Sequence, residues 1–205
     1  MGRVLVLYHY FHPDNVVSAI HYSHLAEDLR ARGWDVVVLT SNRSRHDRSI
    51  SYPPREQWNG VDIRRMWRPN FSQESGLWRL ITAKWMVLAW SFAALRKRSL
   101  PDIDVMIVGT DPVMSIACIP FWKLVRPRTK VVHWCFDLFP DIAIADGMLK
   151  ESSPVAKIIK KVCAWIYRKC DLIVDTSPCQ RDRLKTYIAT ARHATCTPWA
   201  VVEPP

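Results

Sequence analysis

Asp137 is the residue whose surroundings best suit acid–base chemistry. It stands near the end of the stretch Val131–Asp141, VVHWCFDLFPD, where two β-branched residues lead into aromatic side chains and a Pro–Asp pair closes the run. A carboxylate held among aromatic walls loses hydration, so its ionised form is disfavoured and its pKa rises toward the range of a general base. His133 in the same stretch has two readings, a core histidine satisfied inside a strand or a ligand-facing group, and the residues alone leave both open. Cys135 reads as a packed thiol, because no base and orienting group lie near it in the sequence.

Two further clusters carry polar groups. The stretch His9–Ala19, HYFHPDNVVSA, offers Tyr10, His12, Asp14 and Asn15 ahead of a helix N-terminus, which can hold a polar or anionic group. Capping of that helix by Asp14 or Asn15 is the competing reading. The stretch contains no glycine, so the dinucleotide-binding fingerprint is absent. Asp111, in TDPV, precedes a proline that suits a first helical turn, and capping competes with a binding role there too. Asp102 and Asp104 have the spacing of a metal-binding DxD. They stand at the start of their strand, however, on the edge opposite the expected site, and no metal is expected.

These groups need a frame, and hydrophobic periodicity supplies it. Arg3–Tyr8 is an apolar run of strand length. Ala19, Tyr22, Ala26 and Leu29 then fall at helical spacing, Gly33 suits a helix C-terminus, and Trp34–Thr40 is a second buried strand. This βαβ pattern predicts a parallel sheet with a right-handed crossover. Arg43–Asn59 reads as a polar loop, and NGVDIRRMWRP as a turn and strand. PDIDVMIVG and the Val131 stretch are strands on either side of a helix over 113–125. Ser153–Cys170 is a helix capped by Ser152 or Ser153, DLIVDTS is a strand, and another helix begins at Ser177–Pro178. About six parallel strands alternating with helices predict a single α/β domain, a doubly wound, mostly parallel, Rossmann-like sheet. In such sheets ligands lie beyond the carboxyl ends of the strands, where Asp137, Asp111 and the first loop fall.

Composition narrows the partners. Of 205 residues, 49% are hydrophobic and 23% charged, as in globular proteins. The net charge of +10 favours an anionic partner such as a phosphate-bearing ligand or an acidic membrane surface. The basic residues are scattered over loops and no nucleic-acid signature occurs, so nucleic acid is not expected. The six cysteines have no CxxC pair or zinc spacing and read as reduced thiols of a cytosolic protein. Glu74–Arg98 is a long apolar helix interrupted by Lys84. It is too short and too polar at its flanks to span a bilayer. With Trp78, Trp85 and Trp90 at headgroup depth, and Lys84, Arg96, Lys97 and Arg98 on anionic lipid, it reads as an interfacial element. A helix buried against the sheet is the alternative.

The order of YHYFHPD, LAEDLRARGWDVVVLTSN, NGVDIRRMWRP, PDIDVMIVGTDP, VVHWCFDLFPD followed by GML, and CDLIVDTS resembles the N-terminal domain of family 4 glycosyltransferases of the GT-B fold. The likeness runs from about Arg3 to Trp199. It is closest to the branch that builds bacterial surface polysaccharides and capsules, with DLFPDIAIADGML its most specific part. The resemblance implies that residues 1–200 are the acceptor-binding half and 201–205 the start of an interdomain linker. Tyr10, His12, Asp14, Asn15, Asp111 and His133 would then face a glycan or lipid-linked sugar acceptor, and Asp137 would be the general base or orient the attacking hydroxyl. A retaining transfer from a nucleotide-sugar is implied. The family's donor domain carries two Glu eight positions apart, and none of the five Glu here is so spaced. The donor and its domain are therefore expected outside this chain, which would need a donor-binding domain or subunit for turnover. First-loop glycines found in many relatives are replaced by NVVSA. A peripheral position at the cytoplasmic face of the plasma membrane follows from the same likeness. A non-catalytic module tethering a donor subunit to the membrane is the alternative reading.

Overall fold

The structure, a computed structural model, describes residues 1–72 and 76–199. The expected linker and the first residues of the expected Glu74 helix lie outside the described residues. The chain begins as predicted, with β1 (Arg3–Leu7), α1 (Val17–Ala31) and β2 (Asp35–Ser41). Gly33 ends this helix at φ +86°, where its amide donates to Arg30 and that of Trp34 to Leu29. Such a left-handed closure favours glycine. Next come β3 (Arg55–Trp58), β4 (Val61–Met66), α2 (Gly76–Ala93) and β5 (Val105–Val108). After a 3-10 turn over Ser115–Cys118 come α3 (Ile119–Val125), β6 (Lys130–Trp134) and α4 (Asp141–Ala145). The described chain ends with α5 (Pro154–Tyr167), β7 (Leu172–Asp175), α6 (Pro178–Lys185) and β8 (His193–Thr195).

The strands form one sheet in the order β3-β4-β2-β1-β5-β6-β7-β8. All neighbours are parallel except β3 and β4. The order reverses direction between β1 and β5. Alternation along the strands builds two cores. Val4, Val6, Val36 and Val38 pack on the α1 side, whereas Leu5, Leu7, Val37 and Leu39 join Met86, Trp122 and Ile166 from α2, α3 and α5 on the other. Ser153 and Ser177 cap α5 and α6, accepting the amides of Ala156 at 3.1 Å and Gln180 at 3.2 Å.

Three expectations change. The polar stretch 43–59 is not loop throughout: β3 lies inside it and pairs antiparallel with β4, with Trp58 opposite Val61. A hairpin through Asn59 and Gly60, both at positive φ, makes that pairing possible. The short β8 adds a parallel strand beyond the expected six. The long apolar helix ends at Ala93, so Arg96, Lys97 and Arg98 follow it on a surface turn.

Trp90 is corrected as a membrane-contact residue. It is fully buried at 0% exposure in the α2-side core, where its carbonyl accepts the Trp122 indole N–H at 2.9 Å. Trp78, Lys84 and Trp85 remain on the outer surface, Trp85 at 42% exposure. Its indole N–H reaches the Trp67 carbonyl at 2.9 Å. The helix therefore both packs in the core and presents an exposed face. Trp90→Ala is expected to destabilise the fold by about 3–5 kcal/mol through a cavity. Trp85→Ser should cost less than about 1 kcal/mol. Urea unfolding of both variants measures the difference.

Candidate functional site

Strand order determines where a ligand can enter. Crossovers leave β1 and β5 in opposite directions, so the loops at their carboxyl ends diverge and open a crevice. A cleft of ≈ 370 Å³ lies there, lined by residues following β1, β5 and β6. A larger cavity of ≈ 660 Å³ surrounds Asp102, Asp104 and Arg126 at the amino ends of the strands. In that cavity Asp104 accepts the backbone amide of Arg3 at 2.7 Å, which gives it a structural task in fixing β1. Position at the carboxyl ends, rather than size, selects the smaller cleft.

Of the residues singled out from sequence, Tyr10, Asp111 and Asp137 meet in this cleft. Asp137 as a residue is exposed, yet neighbouring protein crowds its carboxyl. Desolvation and, after it, the negative charge of Asp111 raise its pKa. Tyr10 is buried, and burial raises its phenol pKa above the usual range, with Asp111 adding to the effect.

The other expected residues lie elsewhere. His133 is enclosed in the core, its Nδ1–H donating to the Val108 carbonyl at 2.9 Å and its ring stacked on Tyr167. Burial holds its pKa down to about 4, so it is a neutral core histidine and not a cleft residue. Asp14 is buried and neither caps α1 nor enters the cleft. It accepts Ser44 Oγ at 2.9 Å and the Arg45 amide at 3.0 Å, tying the loop after β1 to the loop after β2. His12 stacks on Trp58 with ring centroids 4.2 Å apart, at the β3 edge. Asn15 is exposed and does not line the cleft. Cys135 is a buried thiol, its pKa raised by desolvation.

Several cleft residues had no clear sequence signal. His9, 3% exposed, places Nδ1 3.4 Å from Asp111 Oδ1 and stacks on Tyr10. Its buried Nε2 has no partner among the described residues. Its place directly after a strand was the available clue. Arg45 comes from the loop after β2, and Arg79 from the first turns of α2. Neither guanidinium makes an ion pair or hydrogen bond among the described residues. Phe139, Ile142 and Met148 form an apolar wall opposite. Carboxylates able to take a hydroxyl's hydrogen bond thus share a half-apolar crevice with two cations that have no ion pair among the described residues, a combination suited to a polar, partly anionic ligand.

The floor depends on Gly109. A Cβ there would overlap the Tyr8 ring and the Tyr22 hydroxyl, and these two rings stack with centroids 3.9 Å apart beneath the cleft. The glycine needed for close backbone approach is therefore after β5 and not in the first loop.

Comparison with known proteins bears on the whole chain. The model of the "Glycosyl transferase 4-like domain" family matches residues 18–198. No curated protein sequence matches. Among solved structures, sucrose-phosphate synthase from Thermosynechococcus elongatus superposes with a TM-score of 0.62 at 14% identity, covering 96% of this chain and 48% of that one. A UGT of Glycyrrhiza uralensis, solved with glycyrrhetinic acid 3-O-monoglucuronide, gives 0.55 at 10% identity, covering 98% and 49%. At these identities the likeness establishes the fold, one half of a GT-B architecture, and this chain spans about half the length of those structures.

Gly109→Ala is expected to lower stability by about 1–3 kcal/mol through overpacking, read as a drop in Tm. The raised pKa of Asp137 means that ionising it opposes folding. Asp137→Asn should therefore raise stability at pH 7, with the gain shrinking as pH falls through the carboxylate range. Thermal melts at pH 7 and pH 4 test the sign.

Proposed function

We propose, from the premise that this chain belongs to the glycosyl transferase 4-like domain family, that it is the acceptor-binding half of a retaining glycosyltransferase. The observation that carries this reading is the position of Asp137, a carboxylate of raised pKa in a cleft at the switch point of a GT-B half. In this role Asp137 accepts the hydrogen bond of the acceptor hydroxyl and takes its proton as that oxygen bonds to the sugar. Tyr10, His9 and Asp111 shape the wall behind it. The bond from the anomeric carbon to the nucleoside diphosphate breaks in the same transfer, and the diphosphate leaves. The nucleotide-sugar is held by a donor-binding domain or subunit outside the residues of this chain. Transfer needs the anomeric carbon held about 3 Å from the acceptor oxygen, which this half cannot arrange alone.

The acceptor is proposed to be a lipid-linked glycan of surface-polysaccharide assembly, reached from the cytoplasmic face of the membrane. Support comes from α2, whose first turns carry Arg79 into the cleft while its outer face exposes Leu77, Trp78, Ile81, Trp85 and Leu88. Among the described residues no helix is long and apolar enough to cross a membrane. Contact is therefore proposed to be interfacial, through Trp78 and Trp85 with Lys84, Arg96, Lys97 and Arg98. The same apolar face favours a second reading, a non-catalytic module that holds a donor subunit at the membrane.

Reconstitution with a donor-binding partner, a panel of nucleotide-sugars and a lipid-linked acceptor separates the two. Catalysis predicts product, with Asp137→Ala lowering turnover about 10²–10⁴-fold. Equal turnover by that variant overturns the catalytic assignment. Partner recruitment to vesicles without transfer supports the tether.

A further inference from the structure

Beside α2, away from the cleft, the outer surface is concave a second time. A groove of ≈ 770 Å³ runs between the end of β4 and α2, with Trp67, Trp85 and Phe92 on its walls and Arg55, Arg64, Arg65 and Arg96 around it. The four guanidiniums are not equivalent. Arg64 pairs with Asp62 at 2.6 Å, and Arg65 pairs with Glu56 at 2.7 Å and lies over the Tyr52 ring. Those of Arg55 and Arg96 are exposed and make no ion pair or hydrogen bond among the described residues. Among the described residues no carboxylate lines the groove. It therefore carries two uncompensated positive charges above aromatic walls, in a chain of net charge +10.

Helix geometry sets the height of this groove. Ile81 and Leu88 point outward from α2, with Leu88 55% exposed, while Trp85 and Phe92 stand a fraction of a turn round, on the flank that opens into the groove. A helix resting in a bilayer interface sinks its apolar face to the boundary of headgroups and acyl chains, about 5–10 Å deep. The flank beside that face then lies level with the headgroups, where indole rings are favoured and phosphates are densest. Guanidinium is the side chain best matched to phosphate, through paired N–H donors.

We propose that this groove binds the phosphate of an anionic phospholipid headgroup, with Arg55 and Arg96 as ligands and Trp67, Trp85 and Phe92 as walls, a role that rests on the membrane-associated reading above. The groove gives α2 a preference for acidic lipid that its apolar face alone does not supply.

Vesicle flotation tests it, using phosphatidylcholine alone and a three-to-one mixture with phosphatidylglycerol at constant ionic strength. The unaltered chain is compared with Arg55→Gln/Arg96→Gln and with Lys97→Gln/Arg98→Gln, which removes equal charge beside the groove. Neither changed pair holds a buried contact, and matching melting curves confirm that both variants fold. The expected result is preference for the anionic vesicles, weakened about tenfold more by the groove pair than by the control pair. Equal weakening by both pairs overturns the groove and leaves a diffuse electrostatic attraction. Equal binding of the unaltered chain to both vesicle types overturns the groove while keeping the membrane reading. Failure to bind either overturns both. Inorganic phosphate is expected to release the unaltered chain from the anionic vesicles beyond the effect of chloride at matched ionic strength, and to leave the residual binding of the groove pair unchanged. Release no greater than with chloride overturns phosphate ligation by the groove.

Discussion

A parallel sheet cannot cover its own reversal point, and the rest of this molecule is arranged around that constraint. Crossovers from β1 and from β5 leave in opposite directions because a right-handed connection is the one that packs back on the sheet. Between them the carboxyl ends of β1 and β5 stay open, and the loops after β1, β5 and β6 form the walls of the opening. The two cores on either side hold this geometry in place. Tyr8 and Tyr22 of the α1-side core, with Gly109, connect that core to the site as its floor.

Polar side chains divide by position on this frame. Those that hold loops together have used their hydrogen-bonding capacity: Asp14 on Ser44 and Arg45, Arg65 on Glu56 and the His12 carbonyl, His133 on Val108. Those facing the cleft have capacity left over. Asp137 is destabilised as an anion, and among the described residues a buried nitrogen of His9 has no partner and Arg45 and Arg79 make no ion pair. The cleft thus gathers several groups with polar capacity left over, although buried atoms such as Arg126 Nη2 and His193 Nε2 elsewhere in the fold also lack a partner among the described residues.

The sheet was legible in the sequence because its strands are short, β-branched and separated by helices of strong period. Asp137 and Asp111 were legible because each follows such a strand directly. His12, Asp14 and Asn15 were harder, since which member of a loop turns inward depends on contacts with residues far along the chain. The partners of Asp14, namely Ser44, Arg45 and Tyr52, are 30, 31 and 38 positions away. β3 was hidden because an edge strand with one solvated face needs little hydrophobicity, and Arg-Glu-Gln-Trp shows almost none. Trp90 and Trp85 look alike in sequence, and their different fates depend on a rotation about the helix axis that only packing fixes.

The Asp14 clasp has a consequence for how the cleft could adapt to different ligands. By joining the loop after β1 to the loop after β2, it makes the Tyr10 and Arg45 side of the opening one unit. The opposite side is built from the short α4 and the segment around Met148, whose side chains Ile142 and Met148 are largely exposed. On the proposed acceptor reading, the anchored wall would position the reacting hydroxyl, and the lightly packed wall would set how bulky a molecule fits.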